Sequence, residues 1–251
     1  AMNERFNRAV VSKRRSARQT EALAERDPRA KLQFFPTPPW ATRAFLIAAG
    51  IDLSGALVWE PFCGAGHMSA VLEEAGGRVY SSDIYPHGWG DVGSFVGGPL
   101  AGDLIRRPWP ERGDWIITNP AFGLAISAFE RALHEVRNVA MLCRLQWLET
   151  AERFRLFSRE RFEVWVYAER VPMIEFAWDP DASSMTSYAW FVLRADRRPQ
   201  DPGSCGLDGF IIPPGAKERF TRADDARRFA GDPPGILRER GHGQLFEGGA
   251  A

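Results

Sequence analysis

In the tetrapeptide NPAF, Asn119 offers a side-chain carbonyl, Pro120 a backbone carbonyl without an N–H of its own, and Phe122 a flat apolar face. These groups suit a planar ligand bearing an NH2. Two acceptors take the two amine hydrogens while the ring of the ligand stacks on the aromatic face. An amine conjugated to a ring or carbonyl is a poor nucleophile because its lone pair is delocalised. Drawing both hydrogens toward acceptors returns density to nitrogen, so such a site needs no strong base. The loop has no His or Cys beside it. The same residues also read as an Asx-type turn with Phe122 opening a helix, and the rest of the chain must decide.

Three further loops carry acids. In EPFCGAGHMS, Glu60 closes an apolar run, and Gly64 and Gly66 let the backbone turn tightly and approach a ligand before a helix starts. Ser69 stands where the dinucleotide fingerprint has its third glycine. Glu60 would also repel a pyrophosphate, so a dehydrogenase reading is disfavoured. An ammonium or a sulfonium fits better. In SSDIYP, Asp83 follows Glu60 by 23 residues, and an acid there can accept both hydroxyls of a ribose or simply cap a surface turn. In AGDLIRRPW, Asp103 is placed to reach a purine amino group if the same ligand continues along the strand ends. Acid with glycine turn, acid, acid, then Asn-Pro is an order that packing alone does not explain.

The elements that hold these loops alternate. ALVW (56–59), RVYSS (78–82), WIIT (115–118), VAMLCRL (139–145), FEVWVYA (162–168) and YAWFVLRA (188–195) read as strands. AGHMSAVLEEAGG and FGLAISAFERALHEV carry apolar residues at helical spacing, the second through Phe122, Ile126, Phe129, Leu133 and Val136. The expected fold is α/β: a Rossmann-like, mainly parallel seven-stranded sheet with helices on both faces and an antiparallel edge among the late strands. Ligands of such sheets sit outside the carboxyl ends of the strands, where all four loops fall.

Composition sets the remaining bounds. The chain has 251 residues, 45% hydrophobic and 25% charged, with a net charge of zero. No apolar run reaches the roughly 20 residues of a membrane span, and no signal-peptide pattern opens the chain. Cys63, Cys143 and Cys205 form no metal-type pair, and four isolated histidines argue against a zinc site; a reducing cytoplasm is expected. Residues 1–31 hold nine Lys/Arg, among them Lys13, Arg14, Arg15 and Arg18, against four acids. This segment reads as a solvated helix, a loose arm or a phosphate-contacting arm. Residues 197–251 read as a Pro/Gly-rich tail apart from GFIIPP, leaving 32–196 as the main domain.

Together these residues resemble the class I S-adenosylmethionine-dependent methyltransferases, in particular the branch that modifies adenine N6 or cytosine N4. EPFCGAG is similar to that family's cofactor loop and NPAF to its catalytic tetrapeptide. FFPTPPW resembles the segment over the methionine end of the cofactor, and the order of the three is the gamma arrangement common among adenine-N6 enzymes. RLQWLE and SYAWFVLR are similar to segments of small phage and prophage methyltransferases. The resemblance implies S-adenosyl-L-methionine as cofactor, with Phe35, Thr37 and Pro38 over it and Glu60 and Pro61 near its amino group. Gly64 and Gly66 would lie beneath, Asp83 and Ile84 at the ribose, and Asp103 and Leu104 at the adenine. Asn119, Pro120 and Phe122 would hold the target base. The implied partner is a nucleic acid, DNA ahead of RNA, with no metal and no membrane. Two features depart from the pattern: Ala121 replaces the usual second proline, and no separate target-recognition domain is evident. Structured RNA, a glutamine amide, and a methyltransferase-shaped protein that binds without turnover remain alternatives. Trp40, Trp147 and Trp190 read as core or base-pocket rings, Arg144 and Arg170 as phosphate contacts, and His67 as a helix cap or surface residue.

Overall fold

The computed structural model describes residues 32–93, 113–197 and 206–229. The first element is α1 (Pro39–Ala48), followed by β1 (Leu57–Glu60), α2 (His67–Glu74), β2 (Arg78–Asp83) and the short β3 (Asp91–Val92). Then come β4 (Gly113–Thr118), α3 (Ala125–Glu135), β5 (Val136–Arg144), α4 (Ala151–Phe157), β6 (Arg161–Tyr167) and β7 (Tyr188–Leu193). The last are β8 (Gly206–Ile212), α5 (Ala216–Phe220) and α6 (Asp225–Phe229). The eight strands form one sheet in the order β3-β2-β1-β4-β5-β7-β6-β8. All neighbouring pairs are parallel except those of β7, which runs antiparallel to both β5 and β6.

The two faces of the sheet are separated by strand alternation. Val58, Ile117 and Trp190 join a core with Trp40 and Phe45 of α1 and Leu72 of α2. Their chain neighbours Trp59, Ile116 and Phe191 join a second core with Phe129 of α3 and Phe157 of α4. One residue of slip would exchange the two sets. Trp190 stacks on Phe45 at 4.1 Å between ring centroids, and both rings are fully buried. Truncating either to alanine would cost about 3–5 kcal/mol. The expected doubly wound α/β sheet is therefore present. Trp40, Trp147 and Trp190 serve its core.

The eighth strand differs from expectation. Residues 206–212, expected within a tail, add β8 alongside β6 in parallel register from Arg161↔Gly206 to Tyr167↔Ile212. The turns that follow are also attached. Asp225 of α6 is fully buried and grips the Arg43 guanidinium of α1 through two bonds, at 2.7 and 2.8 Å. Glycines and prolines flank this segment and mask its strand pattern, but its docking rests on an ion pair 182 residues apart in sequence. The basic segment 1–31 and the rest of the tail lie outside the described residues. Among the described residues, no helix is long and apolar enough to cross a membrane.

Candidate active site

After β1 the chain fills the sheet toward β2 and β3, then returns to lay β4 and β5 on the other side of β1. The loops leaving β1 and β4 diverge there, and a crevice opens beyond the strand ends. The crevice is a cleft of about 310 Å³, near the lower end of the roughly 300–1,000 Å³ typical of ligand pockets. Phe35, Thr37, Glu60, Asp83, Ile84 and Asn119 line it, six of the residues singled out in the sequence.

Glu60, the last residue of β1, is 2% exposed. Its Oε2 accepts a very short bond from the Ser69 hydroxyl, which also meets the Ser81 hydroxyl at 2.7 Å. No cation among the described residues pairs with it. Burial pushes its carboxyl well above the usual range; the Ser69 bond opposes this and the negative charge of Asp83 adds to it. Asp83 ends β2. Its Oδ2 accepts from the Gly64 N–H at 2.9 Å and its Oδ1 from the Tyr85 N–H at 3.1 Å. The second carboxylate thus braces the glycine turn that follows the first.

That turn needs its glycines. Gly64 and Gly66 have φ of +50° and +81°, in the left-handed region. A Cβ on Gly64 would come within 2.2 Å of the Phe34 ring, and one on Gly66 within 2.1 Å of the Trp89 ring. The close approach expected of a ligand is made here by two aromatic rings. Phe34 in turn lies 4.3 Å from His87 between ring centroids.

At the end of β4 the NPAF loop is fixed by chain segments remote in sequence. The Asn119 amide nitrogen donates to the Phe35 carbonyl at 3.0 Å and to the Thr37 hydroxyl at 3.2 Å. This orients the amide and leaves Oδ1 with no partner among the described residues; the Pro120 carbonyl likewise accepts no bond there. The Phe122 N–H donates to Gln33 Oε1 at 3.1 Å, and the Phe176 N–H donates to the Phe34 carbonyl at 2.8 Å. Phe122 departs from expectation. Its face is covered by the Arg144 guanidinium, 3.8 Å from the ring centroid, and its ring tilts against Phe35 at 5.2 Å.

Two further residues of the cleft carry chemistry. His67, read as a helix cap or surface residue, is instead 7% exposed and lines the cleft. Its Nε2 donates to the Phe229 carbonyl at 2.9 Å, while Nδ1 is buried without a partner. Burial pushes its pKa down to about 4, so the ring is neutral. Cys63 also lines the cleft, but burial drives its thiol far up and away from thiolate chemistry. No sequence signal marked these two beyond their place in the glycine loop. Pro38, at the start of α1, and Pro61, Gly64, Gly66, Pro120 and Phe122 are not among the residues that line the cleft. Asp103 and Leu104 lie outside the described residues.

No protein-family model and no curated protein matches this chain in sequence. Among solved structures, a candidate RNA methyltransferase from Pyrococcus horikoshii superposes with a TM-score of 0.46 at 14% identity, over 72% of this chain and 99% of its own. The modification subunit of a candidate type I restriction enzyme from Vibrio vulnificus gives 0.48 at 14% identity, over 85% of this chain and 57% of its own. The magnesium protoporphyrin IX methyltransferase of Synechocystis, solved with bound S-adenosylmethionine, gives 0.38 at 16% identity, over 62% of this chain and 77% of its own.

Proposed function

We propose that this protein transfers the methyl group of S-adenosyl-L-methionine to an exocyclic amine of a nucleobase, with adenine N6 in DNA as the favoured target. The observation that carries the reading is the Asn119 amide. Its nitrogen is held by Phe35 and Thr37, which leaves Oδ1 and the neighbouring Pro120 carbonyl open as two acceptors. The cofactor fits the cleft on its own terms. Glu60 is a buried carboxylate without a cationic partner among the described residues, as an ammonium or sulfonium requires. Asp83 stands at the next strand end for a pair of hydroxyls.

When bound, the cofactor supplies an electrophilic methyl on a sulfonium. The chain's part is to orient. Asn119 Oδ1 and the Pro120 carbonyl accept the two amine hydrogens and aim the nitrogen lone pair. The Glu60 carboxyl ionises as a cation takes the head of the cleft, and its charge then holds that cation. Burial holds Cys63 as a thiol and makes His67 a weak base with a pKa of about 4, so neither is poised as an activated nucleophile or a general base. Rate then comes from placement and fixed dipoles. A base within duplex DNA must first leave the stack, at a cost of a few kcal/mol.

The test is tritium transfer from labelled S-adenosylmethionine into duplex DNA, single-stranded DNA and total RNA, run beside Asn119→Ala. Counts that digest to N6-methyladenine in DNA and fall about 100-fold or more in the variant are expected. Counts confined to RNA would overturn the choice of polymer. Transfer to no nucleic acid would overturn the nucleobase reading.

A further inference from the structure

Several arginines of this fold are matched to acids. Arg43 meets Asp225 at 2.7 Å, Arg161 meets Asp208 at 2.8 Å and Arg194 meets Glu163 at 3.0 Å. Arg144 and Arg170 belong to those that meet no acid among the described residues, and Arg144 lies against Phe122 of the NPAF loop. Arg144 ends β5, the strand next to the one that delivers Asn119. It pairs with no acid among the described residues. It stands opposite the buried Tyr188 in the β5–β7 register, and its Nε is buried with no acceptor. Arg170 donates to the hydroxyl of Ser187, the residue before Tyr188, through a very short contact. The Ser187 carbonyl accepts from the N–H of Leu145, the residue after Arg144, at 2.9 Å. Two guanidinium groups without counter-charges thus meet at one strand junction on the rim of the candidate target site.

We infer that Arg144 and Arg170 receive the phosphodiester backbone next to the target nucleotide, and that Arg144 uncovers the stacking face of Phe122 as it does so. This rests on the nucleobase reading above. A half-buried cation with an unfilled donor is costly until an anion arrives, and the planar fork of a guanidinium matches a phosphate through two parallel bonds. Before that, the guanidinium lies flat on Phe122 at 3.8 Å, where a target ring would stack. A phosphate that draws the guanidinium aside exposes the ring at the moment the base enters. Recognition of the backbone and admission of the base become one event, which favours a polymer over a free nucleoside.

The experiment is oligonucleotide binding by fluorescence anisotropy over a salt series, for single-stranded DNA, duplex DNA and RNA. The full chain is compared with Arg144→Gln, Arg170→Gln, their double variant, and Arg144→Lys. Arg78→Gln, an exposed position at the opposite edge of the sheet, is the control. Each glutamine variant is expected to make the slope of log affinity against log salt shallower by roughly 0.7–0.9, and the double variant by about twice that. Arg144→Lys should keep the slope, and Arg78→Gln should not alter it. Whichever polymer shows the change is the phosphate source. Slopes unchanged in both single variants on all three polymers, or no binding by the parent protein, would overturn the assignment. Binding is read without turnover. An enzyme that binds with these slopes but transfers no methyl group would sink the proposed reaction and leave the backbone receptor standing.

Discussion

Replacing Asp225 by asparagine tests whether the 206–229 segment is tied to the fold by charge. In the parent, Asp225 Oδ2 and Oδ1 accept from Arg43 Nη1 and Nη2, and Oδ2 also accepts from the Arg222 N–H at 2.9 Å. Leaving a buried charge wholly unpaired costs about 3–5 kcal/mol. Arg43 keeps Glu74 at 3.1 Å and the Phe220 carbonyl at 3.0 Å, so the loss is partial. Glu74 is shared with Arg222 and Arg228, however, and cannot neutralise Arg43 alone. Weighing these, Asp225→Asn should destabilise the protein by about 2–3 kcal/mol, a large share of a typical 5–15 kcal/mol. The pH dependence fixes the cause. Burial is the largest single influence and would raise the Asp225 pKa, but the Arg43 bond, the Arg222 N–H and the charges of both arginines together hold the carboxyl below its ordinary value. A depressed folded pKa contributes stability above the unfolded value of about 3.9, and that contribution is lost as pH falls through the folded value. Guanidinium denaturation should therefore show the full gap between parent and variant at pH 7 and a smaller one near pH 3. A variant within 0.5 kcal/mol of the parent at pH 7, or a gap that does not shrink in acid, would refute the argument. The perturbation also reaches the cleft, because α6 carries the Phe229 carbonyl that holds His67.

Three other outcomes follow from the geometry of the cleft. Burial raises the pKa of Glu60 when no cation faces it, so binding of S-adenosylmethionine should release a proton from it over the pH range in which the free site holds one; calorimetry across pH in buffers of different ionisation enthalpy would show no buffer dependence at any pH if this is wrong. His67 titrates at about 4 in the fold against roughly 6.5 unfolded, so stability should fall by up to about 3 kcal/mol as pH drops across that window. Glu60 opposes this with the opposite sign, and the contribution of His67 is read as the difference from His67→Gln, whose acid limb should be flatter. Gly66→Ala places a Cβ against the Trp89 ring at φ +81° and should cost about 1–2 kcal/mol from backbone strain alone. Unchanged stability and tryptophan fluorescence would show that the turn does not need its glycine.

Periodicity made the central elements legible. The apolar run before Glu60, the helical spacing through Met68, Val71 and Leu72, and the β-branched and aromatic late strands all became the elements expected of them. The acids Glu60 and Asp83 and the amide of Asn119 were legible as strand-end residues for the same reason. α1 was missed although Pro39 sits in its first turn, a position where proline is favoured. α4 was missed although the Thr150 side chain caps it by accepting from the Arg153 N–H. β8 was hidden because its glycines and flanking prolines read as a loop, and its pairing with β6 is a tertiary fact. His67 and Arg144 stayed ambiguous since their roles depend on Phe229 and Phe122, partners that only folding brings near.

The cleft and the amine grip are built from the same contacts. The segment 33–37 accepts from Asn119 through Phe35 and Thr37, from Phe122 through Gln33, and from Phe176 through the Phe34 carbonyl. One short strip of chain therefore spans the NPAF loop on one side and the loop between β6 and β7 on the other. Its own Phe34 ring rests on Gly64 of the β1 loop. Moving that strip would reorient the Asn119 amide and uncover the glycine turn together, since Gln33, Phe35 and Thr37 hold the NPAF loop and Phe34 between them rests on Gly64. The orientation of Asn119 is thus a consequence of how the strip lies over the cleft. A ligand that displaced Phe34 from Gly64 would act on the amide through the carbonyl of the adjacent Phe35. Coupling between the two halves of the site follows from chain connectivity, with no need for a separate hinge.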